Sequence, residues 1–426
     1  MTISSSTPKE MMTVLARLAL RAFLETGCRL DCRPRSLPTA SLIIPVHNRA
    51  ELTLTCLQSL AMRQNTIPLE IIIVDNGSTD ETRQLLRRVR GLRVIRNQTN
   101  LGFPKAVNQA AIQATGRFLI LLNNDVQVLG RSIDHAVAFL MANADVGAVG
   151  GKVILLDGTL QEAGVLIGQD GRALPCGRGR SADDPAYSFQ RDVDYCSGAF
   201  LATRRDLFLD CNGLDEIFGL GYYEETDFCA RLLRSGKRVV FLPDVRIFHF
   251  ENGTSSAFPD LLELLQRNHG IFVTRHASWL PTKSGPGWSP LALRTSTCQA
   301  FNILMAEHGA TFVSNRANVQ EWIARMETLD GFVTLVVVGV APGALRAYLD
   351  GLPKTVEVLS LNPSEFRDLI AARGNFYDLF AMRDPALFDT LALSDYLRAK
   401  IAVIRDAHIE FVHPSSLRRI PMRRAS

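Results

Sequence analysis

Apolar and polar positions along this chain alternate in blocks rather than at random. Short, largely apolar runs at 42–46, 71–74, 92–95 and 118–122 lead into polar turns rich in Asn, Asp, Gly or Ser. Runs of that length, bounded by turn residues, predict strands buried on both faces, as in a parallel sheet. Between them, helical spacing covers roughly 50–63. A second helix is expected after Ser78 or Thr79 as its cap, with Asp80 and Glu81 in its first turn, and a third carries Lys105 and Asn108. The resulting β-α-β-α-β-α-β order predicts an α/β fold with a doubly wound, mainly parallel sheet.

Further along, strands are expected at 146–154, 195–201, 239–242 and 245–250, with loop and short hairpins over 157–193. A helix follows the acidic segment Tyr222-Tyr223-Glu224-Glu225-Thr226-Asp227 and stops at Ser235-Gly236. Pro, Gly and Ser dominate 281–290 and mark a boundary. The predicted organisation is an N-terminal amphipathic helix and linker (1–39), a main domain (40–280), a linker (281–294) and a smaller Rossmann-like α/β region (295–426).

Composition narrows the picture. The 47% apolar and 21% charged residues of this 426-residue chain are those of an ordinary folded protein. A net charge of +4 gives no reason to expect nucleic acid as a partner. Eight scattered cysteines without a C-x-x-C pair point to reduced thiols and a cytoplasmic setting. No run reaches the ~18–20 apolar residues of a membrane span. The helix over 9–25 either docks on its own domain or lies on the inner face of a membrane as a peripheral contact; docking is the commoner outcome.

Two of the buried strands end in carboxylates, at Val74-Asp75-Asn76-Gly77-Ser78 and Leu122-Asn123-Asn124-Asp125. Ligands of open α/β sheets bind beyond the carboxyl ends of the strands. These two turns therefore predict a polar-ligand site, with a metal ion as a natural companion. The bland alternative is two Asx turns that merely stop their strands.

With Ile44-Pro45-Val46-His47-Asn48, Asn100-Leu101-Gly102-Phe103, Tyr223-Glu224-Glu225-Thr226-Asp227 and His249 in order, residues 40–255 resemble the family-2 inverting glycosyltransferases of GT-A fold, and most closely the rhamnosyltransferase-type members. The resemblance implies a UDP- or dTDP-sugar donor and a hydroxyl acceptor on a glycan or lipid-linked saccharide, hence a role in cell-envelope polysaccharide synthesis. It implies that Asp75 reads the nucleobase in a pocket walled by Pro45 and His47, with Gly102, Lys105, Asn108 and Asn124 near the ribose or phosphates. Asp125 and His249 would hold a divalent cation, Mg2+ or Mn2+, whose charge offsets that of the leaving diphosphate. Ser197, Gly198 and Glu224 would border the donor or acceptor sugar.

The family's base is usually the Asp of a Glu-Asp pair, and Glu225 holds that position here. Its extra methylene shifts the carboxylate by about one bond length, ~1.5 Å, which makes Asp227 the fallback. A rival reading is a non-catalytic sugar-nucleotide or glycan-binding module whose transferase site has decayed.

Overall fold

The computed structural model describes residues 8–62, 65–183, 187, 190–251 and 260–283, together with 301–308, 331–340, 356–373, 379–382, 400–405 and 408–412. The chain divides into two compact units, one of 1–182 with 192–286 and one of 183–191 with 287–426.

In the first unit, helix α1 (Pro8–Glu25) precedes β1 (Ala40–Val46), α2 (Ala50–Ala61), β2 (Leu69–Asn76), α3 (Thr82–Leu86), β3 (Leu92–Asn97), α4 (Phe103–Gln113) and β4 (Phe118–Leu122). Then follow β5 (Val126–Val128), α5 (Ser132–Ala142), β6 (Val146–Ile154), β7 (Leu160–Ala163), β8 (Phe200–Arg204), α6 (Arg205–Asp210), α7 (Glu224–Arg234), β9 (Arg238–His249) and α8 (Leu261–Arg275). The sheet runs β9-β6-β8-β4-β1-β2-β3, with β5 added to β9 and β7 to β6. Strands β4, β1, β2 and β3 are mutually parallel, as are β6 and β9. Strand β8 runs antiparallel between β4 and β6, and the short β5 and β7 pair antiparallel with β9 and β6. The continuous apolar runs fit this placement: every residue of β4 and β6 is buried.

Helix α1 docks on its own domain. Ala16, Leu20 and Phe23 are buried, and the helix packs along α2. Met11, Val14, Leu15 and Leu18 face outward. Among the described residues no helix is long and apolar enough to cross a membrane.

Three local expectations are revised. The two strands expected at 239–250 are one, β9, whose pairing with β6 shifts register between Leu242 and Arg246, around Pro243. The helix expected after Ser78 is a single short turn, Thr82–Leu86. Neither Ser78 nor Thr79 caps it, because Asp80 Oδ1 takes the Thr82 N–H at 3.0 Å while Ser78 Oγ accepts from Asn48 N at 2.9 Å. The strand expected at 195–201 begins only at Phe200, and the residues before it turn.

The second unit holds β10 (Phe301–His308), β11 (Gly331–Val338), β12 (Glu357–Leu361), α9 (Pro363–Arg373), β13 (Leu379–Met382), β14 (Lys400–Arg405) and β15 (His408–Val412). Its sheet runs β12-β11-β10-β13-β14-β15, parallel except for the last pair. That is the 3-2-1-4-5-6 strand order of a Rossmann sheet.

Candidate active site

A cavity of about 320 Å³ opens beyond the carboxyl ends of β1, β2 and β4. Its wall brings together Pro45, His47, Asn124, Asp125, Ser197, Gly198, Glu224, Glu225 and His249, from segments more than 200 residues apart in sequence.

On one side, β1 and β2 end in interlocked turns. His47 Nδ1 lies 2.9 Å from the Asn76 carbonyl, and Asn48 Oδ1 accepts the Thr79 N–H at 2.8 Å. Asn48 thus orders the turn, as its left-handed φ of 58° also indicates. Asp75 is buried at the end of β2, with Oδ1 taken by Ser78 N–H at 2.9 Å, so a base-reading role rests on Oδ2. Asn124 is buried too, donating to Thr53 Oγ1 at 3.0 Å.

The floor is the pair Asp125 and His249. His249 Nε2 stands 3.1 Å from Asp125 Oδ1, and Nδ1 lies 2.7 Å from Gln161 Oε1. Burial pulls the His249 imidazolium down, but the Asp125 charge and hydrogen bond outweigh it and leave its pKa above the ordinary value. In the neutral ring, an Nδ1–H donating to Gln161 leaves the Nε2 lone pair aimed at the space Asp125 also faces. A histidine fixed through its other nitrogen is the usual arrangement for a metal ligand, so the pair fits a hard divalent cation. Among the described residues no third His, Cys, Asp or Glu joins them in a metal-ligand cluster. Any further ligands would be substrate oxygens or water, as is common for Mg2+.

Another part of the lining is the start of α7. Tyr222 and Tyr223 both have left-handed backbone, at φ 70° and 75°, a conformation that costs about 1–3 kcal/mol for each residue. The buried Asn268 of α8 secures this loop, donating to the Phe218 and Gly221 carbonyls at 2.8 Å each. The loop delivers Glu224 and Glu225 to the cavity. Each has an Oε2 closed off from solvent and without a hydrogen-bond partner. Burial, and then the charge of Glu225, pushes the Glu224 pKa well above its usual range. Burial also raises that of Glu225, against the backbone N–H groups of its own residue, Gly198 and Thr226.

Asp75 is buried and does not line the cavity, and four more expected site residues stand elsewhere. Asp227 is fully buried on another face of α7, accepting from Arg231 Nε at 2.8 Å, Arg275 Nη1 at 3.0 Å and His276 Nε2 at 3.0 Å. So enclosed and neutralised, it cannot reach an acceptor hydroxyl. Asn108 spends its amide on the Leu214 backbone, donating at 2.8 Å and accepting at 3.0 Å. Lys105 is exposed on α4 outside the cavity wall. Gly102 supports the site indirectly: a Cβ there would meet the Gly219 carbonyl at 2.2 Å, so glycine lets α4 start against the loop carrying Leu220.

Sequence reasoning missed Gln161 and Glu162. They lie within 157–193, where loop and hairpins were expected, and nothing in their local pattern marks them. Glu162 is buried and accepts the Ser197 N–H at 3.2 Å. Asn76, Asn100 and Phe103, which also line the cavity, belonged to motifs already singled out.

Comparison with known proteins agrees with this geometry. Residues 41–208 match Glycosyl transferase family 2. The O-antigen biosynthesis protein RfbC of Myxococcus xanthus is 29% identical over 274 residues, covering 62% of this chain and 21% of that protein. An N-acetylglucosaminyl-diphospho-decaprenol L-rhamnosyltransferase of Mycobacterium tuberculosis is 27% identical over 237 residues, covering 50% of this chain and 77% of that one. This chain therefore spans about a fifth of RfbC but most of the rhamnosyltransferase. Among solved structures, Staphylococcus aureus TarS with UDP-GlcNAc aligns over 57% of this chain and 74% of that one, at 20% identity and a TM-score of 0.40. With the family match lying across the strands and turns that build one part of the cavity wall, the chain carries a Glycosyl transferase family 2 domain over residues 41–208.

Proposed function

We propose that the protein is an inverting glycosyltransferase of polysaccharide biosynthesis, moving a sugar from a UDP- or dTDP-sugar to a hydroxyl of a glycan or lipid-linked saccharide. The observation that carries this reading is the meeting, in the lining of one cavity, of the Asp125–His249 pair and the unpartnered Glu225 Oε2. The first suits a leaving diphosphate and the second suits an incoming hydroxyl.

Glu225 takes the proton from the acceptor hydroxyl as its oxygen attacks the anomeric carbon. The bond from that carbon to the diphosphate oxygen breaks, and the electron pair leaves with the nucleotide. A single displacement of this kind inverts the anomeric configuration. Asp125 and His249 would hold a Mg2+ or Mn2+ ion, which supplies positive charge for the departing diphosphate. Asp75, Pro45 and His47 hold the base end of the donor, and Ser197 and Gly198 border its sugar. Burial moves the Glu225 pKa upward, the direction that makes its carboxylate a stronger base.

The test is calorimetric titration of the full chain with UDP and dTDP, each with and without Mn2+. Metal-dependent binding of one of them, lost in Asp125→Ala, is the expected result. A folded protein that binds neither nucleotide overturns the proposal.

A further inference from the structure

Phe103 stands apart in the cavity because most of its fellow lining residues are polar. Asn, Asp, Glu and His side chains make up much of the wall, yet this phenyl group lines it half-buried. Its place is fixed from three segments. The Phe103 N–H donates to the Leu220 carbonyl at 3.0 Å, in the loop that leads to Glu224. The preceding Gly102 is tied to the end of β2, where Asn76 Nδ2 donates to its carbonyl at 3.2 Å, and its N–H donates to Asn100 Oδ1 at 3.0 Å. The ring itself reaches the turn before β8. A Cβ on Gly198 would lie 3.3 Å from the ring tip, Cζ, and 3.4 Å from Cε1, and one on Gly221 would lie 3.9 Å from Phe103 Cβ. Glycine at these two positions keeps its neighbours' side chains off the phenyl group.

We propose that Phe103 is the residue by which the site tells a sugar-bearing nucleotide from a bare one, its ring forming an apolar bed for the C–H face of the donor sugar. A pyranose is amphipathic: its hydroxyls radiate from the edge of the ring and its C–H bonds gather on the faces. The face of a phenyl ring is electron-rich, so it attracts the slightly positive hydrogens of such a C–H face. Ligand sites combine apolar and aromatic walls with a few placed polar groups. Here the polar groups are plentiful, and Phe103 supplies the aromatic wall. A sugar bordered by Ser197 and Gly198 would cover the ring, whereas a nucleoside diphosphate without its sugar would leave it facing water. Stacking on the nucleobase is the competing use of such a ring, but its tip lies at Gly198 rather than at the turns that close β1 and β2. The inference rests on the proposed sugar-nucleotide site and goes further, to the side chain that recognises the sugar.

The experiment compares sugar nucleotides with bare nucleotides, and it needs neither acceptor nor turnover. The full chain is titrated calorimetrically in Mn2+ with UDP, dTDP, UDP-glucose, UDP-N-acetylglucosamine, dTDP-glucose and dTDP-rhamnose. The sugar nucleotide that wild type binds most tightly, and its parent nucleotide, are then titrated into Phe103→Ala and Phe103→Leu. In Phe103→Ala the sugar nucleotide is expected to weaken by about three- to tenfold, while the parent nucleotide stays within about twofold. Unchanged binding of the parent nucleotide also shows that the variant is folded with its cavity intact. Should Phe103→Ala fail to fold, Phe103→Leu, which keeps apolar bulk but no flat face, is expected to shift the same ratio in the same direction. Equal losses for both ligands would place the ring on the nucleobase or in the scaffold and overturn the proposal, and so would no loss for either. Wild type that binds none of the six ligands would sink the transferase reading and this inference with it. Binding by wild type with an unmoved ratio in the variants would sink this inference alone.

Discussion

His276 Nε2 and Asp227 Oδ1 meet at 3.0 Å with both side chains fully buried, tying the residue after α8 to the first turn of α7. Arg231 and Arg275 complete the ring of donors. Burial alone would raise the Asp227 pKa, but the His276 hydrogen bond and the two guanidinium groups bring it below the ordinary value. Removing one partner of a buried ion pair typically costs 3–5 kcal/mol. Asp227→Ala is therefore expected to lose stability on the order of 3–5 kcal/mol in urea unfolding. Because the folded pKa is depressed, the stabilisation is present above the unfolded value and fades as pH falls toward the folded one. The gap between wild type and Asp227→Ala should accordingly shrink in acid; an unchanged gap would contradict the ion cluster.

Glu225→Gln separates base from scaffold. The amide keeps the shape and an acceptor oxygen but cannot take a proton. Expected are a fall in kcat of roughly 10²–10⁴-fold, the usual worth of general base catalysis, and nucleotide affinity within about twofold, a change of under ~0.5 kcal/mol. Initial rates of nucleotide release beside calorimetric UDP or dTDP binding measure both. Equal losses in rate and affinity would point to a disrupted cavity instead.

Metal removal should act through Asp125 and His249 together. Chelation of wild type, Asp125→Ala and His249→Ala are each expected to abolish the Mn2+-dependent part of nucleotide binding. The double variant should lose no more than either single one, because residues acting through a shared ion are not additive. Full additivity in the titrations would separate the two residues.

Asn108 and Lys105 distinguish a structural position from a solvated one on the same helix. Asn108→Ala orphans the Leu214 N–H and carbonyl. It should cost about 1–3 kcal/mol of stability without changing nucleotide affinity. Lys105→Ala should change neither. Thermal unfolding and nucleotide titration of the pair decide the matter, and weakened binding in either variant would restore it to the nucleotide site.

Much of the sheet was legible because β1, β2 and β4 are buried on both faces and so carry unbroken apolar runs closed by polar turns. The clustering of those turns followed from the parallel topology. The choice between Glu225 and Asp227 could not be read from sequence. Two positions apart on a helix, they differ by about 200° around the axis, and which one faces a cavity depends on what packs against α7. Here α8 and its cations claim Asp227. Gln161 and Glu162 were hidden for a similar reason. Gln161 is an extra residue where β7 pairs with β6; such a bulge is a property of pairing register between two strands, and neither strand announces it alone. Asn108 and Lys105 lie on a helix correctly expected, but its packing against the Leu214 backbone came from 106 residues away.

The reversed direction of β8 has a chemical consequence. Parallel strands all arrive at the site by their carboxyl ends, so the side chains and carbonyls that close them dominate that edge. Strand β8 arrives there by its beginning, with Phe200 beside Leu122 at the end of β4. The turn feeding it therefore presents the N–H groups of Ser197 and Gly198 to an otherwise electron-rich rim. One chain reversal thus gives this rim both kinds of group: the buried Glu162 carboxyl meets a backbone N–H donor supplied by the same sheet.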